Sequence, residues 1–471
     1  MIRRLFDRVF KKGAARAQGG GPRIIQRKEH GITRDQLTPC ALKTVTGLQQ
    51  AGFAAFVVGG AVRDLALGKN PKDFDVATDA TPEEVRNVFR RSRIIGRRFR
   101  LVHVMCGSET IEVSTFRGLS GGAADAGDVT EEDEYEAKHS KTSKVTNENG
   151  RILRDNVFGT QEQDAERRDF TANALYYDPT TEEVWDYQDG FADVKARVLR
   201  MIGDPETRYR EDPVRMLRAV RLAAKLDFHI DEATREPVSR LADLLQDVPP
   251  SRLFDEMLKL LFSGHALRGV HQLRAEGLHH GLLPVLDTIL EQPLGERFVT
   301  LALKNTDERV LADKPVSPAF LFASLLWHEV AAAWQRIQDQ GIKPLPALFE
   351  AMDQVLSAQR EMLAIPRRYD GNIQEIWSMQ PRFLARAGQR PFKLLEHPRF
   401  RAAFDFLVLR AQSGEIDMEL ADWWEEFQHA GESRRAEMLV ADTGPKKPRR
   451  RRSGKRKPAE GAESAGPEQA E

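Results

Sequence analysis

The chain has 471 residues, 41% hydrophobic and 30% charged, enough for a sizeable core and, at about 150 residues per domain, for about three domains. No stretch approaches the ~18 uninterrupted apolar residues of a membrane helix, which excludes an integral helical membrane protein. The two cysteines, Cys40 and Cys106, cannot build a disulfide framework or a cysteine-rich zinc site, and a net charge of zero averages over very unlike segments.

The first segment is basic. Residues 1–30 hold nine Lys or Arg against two acids, and Leu5, Phe6, Val9 and Phe10 make its start partly amphipathic. It lacks the apolar core of a secretory signal, and Asp7 suits a transit peptide poorly. The expectation is a cytoplasmic tail that a partner orders, ending at 19–22. A helix follows over 39–50 and stops at Gly52. Residues 53–58 form an apolar run ending in Gly59-Gly60, the pattern of a buried strand that feeds a tight turn. Residues 61–67 read as a short helix closed by Gly68, and 73–77 as a second strand. Thr81-Pro82-Glu83-Glu84 supplies a cap, a proline at the first helical position and a glutamate three after the cap, so another helix starts there. Strands are predicted at 101–105 and 110–116, joined across Gly107-Ser108. Residues 119–150 are glycine-rich and acidic, then polar, without periodicity, and read as a mobile loop.

From about 207 the spacing turns helical, with apolar residues three and four apart over 213–226, 252–262, 266–276 and 319–334. There is no internal repeat. Beyond about 430 the chain is of low complexity and expected to be disordered. There Lys446 to Lys457 is basic at nine of twelve positions, and the stretch from Pro458 adds four glutamates. Residues 31–445 therefore carry a net −12. An acidic body between basic arms suits a polyanion gripped by the arms and by local patches. The alternative is that the tails only keep the chain soluble.

Three constellations carry chemistry. In Asp73-Phe74-Asp75, period-2 alternation puts both carboxylates on one face of a strand and Phe74 with Val76 on the other. Two adjacent carboxylates repel unless a divalent cation neutralises them, so the pair suits Mg²⁺. About a dozen residues upstream stand Gly59-Gly60-Ala61-Val62-Arg63-Asp64. A glycine pair between strand and helix exposes backbone N–H groups to an anion, and Arg63 adds a planar cation for phosphate oxygens. A bare turn with a surface ion pair is the plainer reading. Glu112 is a charged residue on a strand whose other face is apolar, and is a candidate third carboxylate; Asp169 is its rival. The third constellation is Arg210-Glu211-Asp212-Pro213-Val214-Arg215-Met216-Leu217-Arg218. Asp212 before Pro213 has the form of a helix cap. Arg215 and Arg218, on nearly the same side as the acids, could equally form salt bridges or, with Asp212, read a base edge.

The run from Phe56 to Arg117 resembles the head of the class II nucleotidyltransferases of the DNA polymerase β superfamily. The shared pattern is Gly-Gly-x-x-Arg-Asp, then Lys72-Asp73-Phe74-Asp75, then Glu112-Val113-Ser114-Thr115-Phe116-Arg117. Arg168-Asp169-Phe170-Thr171-Ala172-Asn173-Ala174-Leu175 and the segment from Glu211 to Ala219 resemble the next two motifs. The resemblance implies that Gly59, Gly60 and Arg63 contact phosphates and that Asp73 and Asp75 bind two Mg²⁺ with ATP as substrate. It associates Arg168 and Asn173 with the ribose segment, and Asp212, Arg215 and Arg218 with the base. Two bacterial branches exist, poly(A) polymerases and CCA-adding enzymes. Gly96 to Val104, Arg27 to Ile32, Lys393 to Arg401 and the basic C-terminus resemble the polymerase branch.

The expected architecture is an α/β head with a small mixed sheet of nucleotidyltransferase type, a mostly helical body and a disordered basic tail. Expected boundaries are a basic tail at 1–30, the head at 31–178, a neck with the nucleotide-selecting helix at 179–265, an RNA-binding body at 266–430 and the tail at 431–471. The expected activity is template-independent addition of AMP from ATP to single-stranded RNA 3′ ends in the cytoplasm, in bacterial RNA processing and decay. RNA-decay proteins are possible partners through the tails. Addition of CCA to tRNA is the alternative. An RNA-binding adaptor with a vestigial site is a third reading, against which the intact aspartate pair speaks.

Overall fold

The apolar runs of the N-terminal third assemble into one eight-stranded sheet in this computed structural model, which describes residues 21–96, 100–118, 144–146, 152–155, 158–278, 293–363 and 365–441. In chain order the strands are β1 (Arg23–Ile25), β2 (Ala55–Val58), β3 (Asp75–Thr78), β4 (Ser92–Ile95), β5 (Leu101–Cys106), β6 (Glu109–Thr115), β7 (Leu175–Asp178) and β8 (Glu183–Asp186). Their spatial order is β1-β8-β7-β2-β3-β6-β5-β4. All neighbours run antiparallel except β3 and β6, which are parallel. The expected mixed sheet is present.

The sheet is covered on both faces, and the alternation of each strand shows how. In β2, Ala55 and Val57 join the main core while Phe56 and Val58 join a second cluster with Ala77, Phe116 and Tyr176. The main core packs helix α1 (Pro39–Gln50) against the sheet through Ala41, Val45 and Leu48. The capping box at Thr81 forms as expected and opens a helix at Pro82–Val88. Cys40 of α1 and Cys106 of β5 form one disulfide, with Cα atoms 5.8 Å apart. This single clip is less than a framework, and the sequence spacing of 66 residues gave no sign of it.

Helices follow from Pro205: α2 (Pro205–Glu211), α3 (Val214–Leu226), α4 (Pro250–Leu261), α5 (Ala266–Ala275), α6 (Pro293–Leu311), α7 (Pro318–Asp339), α8 (Pro344–Leu363), α9 (Asp370–Met379), α10 (Phe400–Ser413) and α11 (Met418–His429). Buried Phe298, Trp327, Trp377 and Phe406 centre this helical body, and one contiguous apolar cluster runs from Ile25 to Leu409. A smaller cluster of Phe383, Phe400, Phe404, Trp424 and Phe427 seals the far end. Among the described residues no helix is long and apolar enough to cross a membrane.

Three boundaries differ from expectation. The strand expected at 73–77 begins at Asp75, so Asp73 and Phe74 precede it. The basic N-terminal segment is not all tail: Arg23–Ile25 pairs with β8 as the sheet's edge strand. Buried His30 docks it, taking the Ile32 N–H on Nδ1 at 2.9 Å and donating from Nε2 to the Glu182 carbonyl at 3.0 Å. Nor does disorder begin at 431. Glu432–Met438 is helical, because Trp423 Nε1 donates to the Met438 carbonyl at 3.0 Å and Met438 and Leu439 pack on the terminal aromatic cluster. Within the expected loop, Lys144–Thr146 pairs with Ile152–Asp155 as a two-stranded ribbon. The rest of that loop from 119, Arg97 to Phe99, His279-His280, residues 1–20 and the basic run Lys446 to Lys457 lie outside the described residues.

Candidate active site

The glycine pair sits where β2 enters a helix at Gly60–Ala66. Gly59 adopts φ 72° and ψ −129°, a combination essentially restricted to glycine. A Cβ there would also stand 3.4 Å from Arg168 Nη1 and 3.7 Å from the Asn173 carbonyl. The turn is therefore in direct contact with the Arg168–Asn173 motif more than a hundred residues later. Arg63 is buried, 4% exposed. Its Nε and Nη2 donate to Asp64 at 2.9 and 2.7 Å, and Nη1 donates to Asn173 Oδ1 at 2.5 Å. Its donors brace the turn against Asn173 from beneath instead of pointing into open space.

The carboxylates meet through the one parallel pairing of the eight-stranded sheet. The β3–β6 register sets Asp75 opposite Glu112, and the two point to the same side because Val76 and Val113, opposite each other, both enter the main core. Asp73 and Asp75 are exposed while Phe74 and Val76 are buried, as alternation predicts. Although solvent reaches Asp75, the protein packed around it, then the charge of Glu112, then that of Asp73, push its carboxyl up to about 6, and Arg168 opposes them. His103 of β5 stands 3.3 Å from Glu112 Oε1. Among the described residues no group of three or more His, Cys, Asp or Glu side chains is already gathered at metal-holding distance.

Asp169 is placed differently. Its Oδ1 accepts from the Phe170 N–H at 2.8 Å and from Asn173 Nδ2 at 3.1 Å, and its Oδ2 accepts from Arg218 Nη1 at 3.0 Å. Burial alone would raise its pKa, but the Arg218 guanidinium, Asn173 and the backbone hold it at about 2. Neighbouring Arg168 donates to Asp164 Oδ2 at 3.0 Å and to the Tyr176 hydroxyl at 2.9 Å, and Tyr176 in turn donates to Asp164 at 2.7 Å. Asp164 and Tyr176 belong to no motif read in the sequence. Only their shared burial behind Arg168 reveals them.

The neck completes the cluster. Asp212 does not cap α3: it ends α2, whose own side-chain cap is Asp204, and its Oδ2 accepts from Arg252 Nη2 at 3.0 Å. Proline at 213 lets the chain turn directly into α3, so no side-chain cap is made there. Arg215 is buried and donates to Glu211 Oε2 at 3.0 Å and to the Arg208 carbonyl at 2.8 Å, so its acidic partner is Glu211 and not Asp212. Arg208 links neck to head by donating to the Arg167 and Arg168 carbonyls, each at 2.6 Å. Asp212 Oδ1 and Arg252 Nη1 are buried with no partner, an unmet acceptor beside an unmet donor. Sequence reasoning missed Arg208 and Arg252. Arg208 stands one turn before Asp212, a spacing that could have drawn attention; Arg252 is 40 residues away with no local signal.

A mixed sheet with a constrained glycine turn, facing carboxylates and a helix rich in paired arginines is the arrangement of a nucleotidyltransferase. Solved relatives bear out the fold: the Thermotoga maritima CCA-adding enzyme complexed with tRNA superposes with a TM-score of 0.54 at 18% identity, over 88% of this chain and 89% of that one. Family models match for the poly A polymerase head domain over 55–200, the probable RNA and SrmB-binding site of polymerase A over 227–290, and the polymerase A arginine-rich C-terminus over 340–458. The chain is 47% identical over 442 residues to poly(A) polymerase I of Salmonella typhimurium, covering 93% of this chain and 92% of that protein. A CCA-adding enzyme of Lactobacillus helveticus is 34% identical over 226 residues, 48% of this chain. The chain belongs to the poly(A) polymerase family.

Proposed function

We propose that the protein is a template-independent poly(A) polymerase that transfers AMP from ATP to single-stranded RNA 3′ ends, in cytoplasmic RNA processing and decay. The observation that carries the chemistry is the parallel register that brings Glu112 to Asp75. Choice of the polymerase over the CCA-adding branch rests on similarity along 93% of the chain rather than 48%.

The donor set fits divalent metal. Asp75, Glu112 and nearby Asp73 concentrate negative charge, which adds to enclosure by the protein in raising the Asp75 carboxyl, and a cation relieves that repulsion. In this reading Asp73 and Asp75 hold two Mg²⁺, and Glu112 is the third carboxylate. Asp169, with both oxygens engaged, instead holds Arg218 and Asn173 in place. Bound divalent ions would neutralise triphosphate charge and activate the 3′-hydroxyl. The backbone at Gly59-Gly60 approaches the phosphates, Arg63 stiffens that turn, and Arg168 faces the triphosphate and ribose. The unmet acceptor of Asp212 and donor of Arg252, beside Arg215, supply the atoms that read a base edge.

Incubation with an unstructured RNA lacking tRNA features, and with each nucleotide separately, tests the assignment. Long adenosine tails are expected with ATP alone. Addition of only C-C-A to truncated tRNA would establish the other branch. A companion measurement concerns the neck. Asp212→Asn should relax the kcat/KM preference for ATP over CTP and GTP by about tenfold, the scale of one hydrogen bond. A variant that loses stability yet keeps its nucleotide preference would reduce Asp212–Arg252 to a salt bridge.

A further inference from the structure

The segment Lys393 to Arg401, singled out in the sequence, has no part in the site above. Its Pro398, Arg399 and Arg401 line one wall of a cavity of about 570 Å³ between α6 and α10. Sites of roughly 300–1,000 Å³ take small molecules. The cavity shares no residue with the catalytic cluster.

Its lining has three kinds of group. Phe320 is a partly buried aromatic floor, braced edge-on by Phe406 at 6.2 Å between ring centroids. Asn305 of α6 and Gln412 of α10, both exposed, also line it, and their side-chain amides have no hydrogen-bond partner among the described residues. At the mouth stand Arg309 and Lys314. Arg309 donates to the Pro315 carbonyl at 2.8 and 3.2 Å, which orients the guanidinium without neutralising it. Lys314 has no carboxylate partner among the described residues. Both lining acids are paired, Asp405 with Arg401 at 3.0 Å and Glu308 with Lys304 at 4.0 Å. Net positive charge thus remains at the rim, above an apolar floor flanked by amides.

A flat ring suits the aromatic floor, amides suit the edge of a heterocycle, and unneutralised cations suit a phosphate. We propose that this cavity is a second nucleotide site, which seats one nucleotide unit with its base over Phe320 and its phosphate against Arg309 and Lys314. The unit is supplied either by the RNA chain behind its growing end or by free adenine nucleotide. The RNA source rests on the function proposed above; the free nucleotide does not.

The test uses the full chain and two photoprobes, 8-azidoadenosine 5′-monophosphate and an oligoadenylate carrying one internal 8-azidoadenosine, followed by peptide mapping. Labelling of peptides within 293–320 or 398–413 by either probe, competed by the unmodified compound, is expected, and which probe labels identifies the source. The double variant Arg309→Ala/Lys314→Ala should lose that labelling. If RNA is the source, its log–log salt slope for oligoadenylate binding should flatten by about 0.7, the share of the one phosphate seated there. Single-nucleotide addition at saturating RNA should be unchanged in the variant. Because both residues are exposed, folding is expected to survive, and Gln412→Ala, also exposed, gives a second reading of reduced labelling. Absence of labelling in those peptides with both probes, or equal labelling in the variants, overturns the proposal. Wild-type extension measured alongside shows separately whether the polymerase reading stands.

Discussion

Asp75→Asn should reduce RNA extension by more than about 100-fold, the upper end of what loss of a group merely supporting a metal ligand costs, and leave RNA affinity nearly intact. Asparagine keeps the shape of the side chain and removes the charge that both Mg²⁺ and Glu112 feel. The same residue sets a pH dependence. With its carboxyl raised to about 6, a proton competes with the metal below that pH. Apparent Mg²⁺ affinity should therefore fall about tenfold per unit as pH drops below 6 and level off above it. Removing the like charge in Glu112→Gln should move that midpoint downward, because the Glu112 charge is the second cause of the shift after enclosure. Mg²⁺ titration of extension across pH 5 to 8 reads both effects. A midpoint that stays at 6 in Glu112→Gln would remove Glu112 from the neighbourhood that the strand register gives it.

Asp169→Asn should act on stability. The change strips the charge from a buried partner of Arg218, and breaking a buried pair costs roughly 3–5 kcal/mol. Arg218 is 31% exposed at its side chain and has Glu256 at 3.8 Å, so about 2–3 kcal/mol is expected here. The sign with pH follows from the carboxyl's low value of about 2. Its contribution is complete above the unfolded pKa of ~3.9 and disappears as pH falls toward 2. Denaturant titration at pH 7 and near pH 2.5 should show a large gap between wild type and variant at the first and a small one at the second. Glu112→Gln offers the contrast, since an exposed substitution usually changes stability by no more than about 0.5 kcal/mol. Loss of Mg²⁺ dependence without loss of stability in Asp169→Asn would reverse the roles assigned to the two residues.

Local pattern already contained much of this. The alternation at Asp73-Phe74-Asp75 fixed which side chains face out, the glycine pair marked the turn after β2, and the capping box at Thr81 set a helix start. These depend on neighbours within a few residues, where backbone sterics and period decide. The motifs also pointed to the family, and to the residues that cluster.

What a side chain in that cluster touches was decided by the tertiary fold. Glu112 and Asp169 were equivalent candidates in the sequence. The parallel β3–β6 register, joining segments 37 residues apart, gives Glu112 to Asp75, and the neck helix gives Arg218 to Asp169; only these two contacts separate them. Asp212 had the local form of a cap, yet Arg252, 40 residues on, takes its carboxylate. Arg63 has the composition of a phosphate ligand, but a neighbouring acid and Asn173 hold it beneath the turn. A charged group chooses its partner by distance in space. Spacing along the chain limits that distance within one helix or strand and says nothing across strands, so the amino-acid sequence offered many of the candidate residues of this site, while the fold added Arg208, Arg252, Asp164 and Tyr176 and assigned the partners.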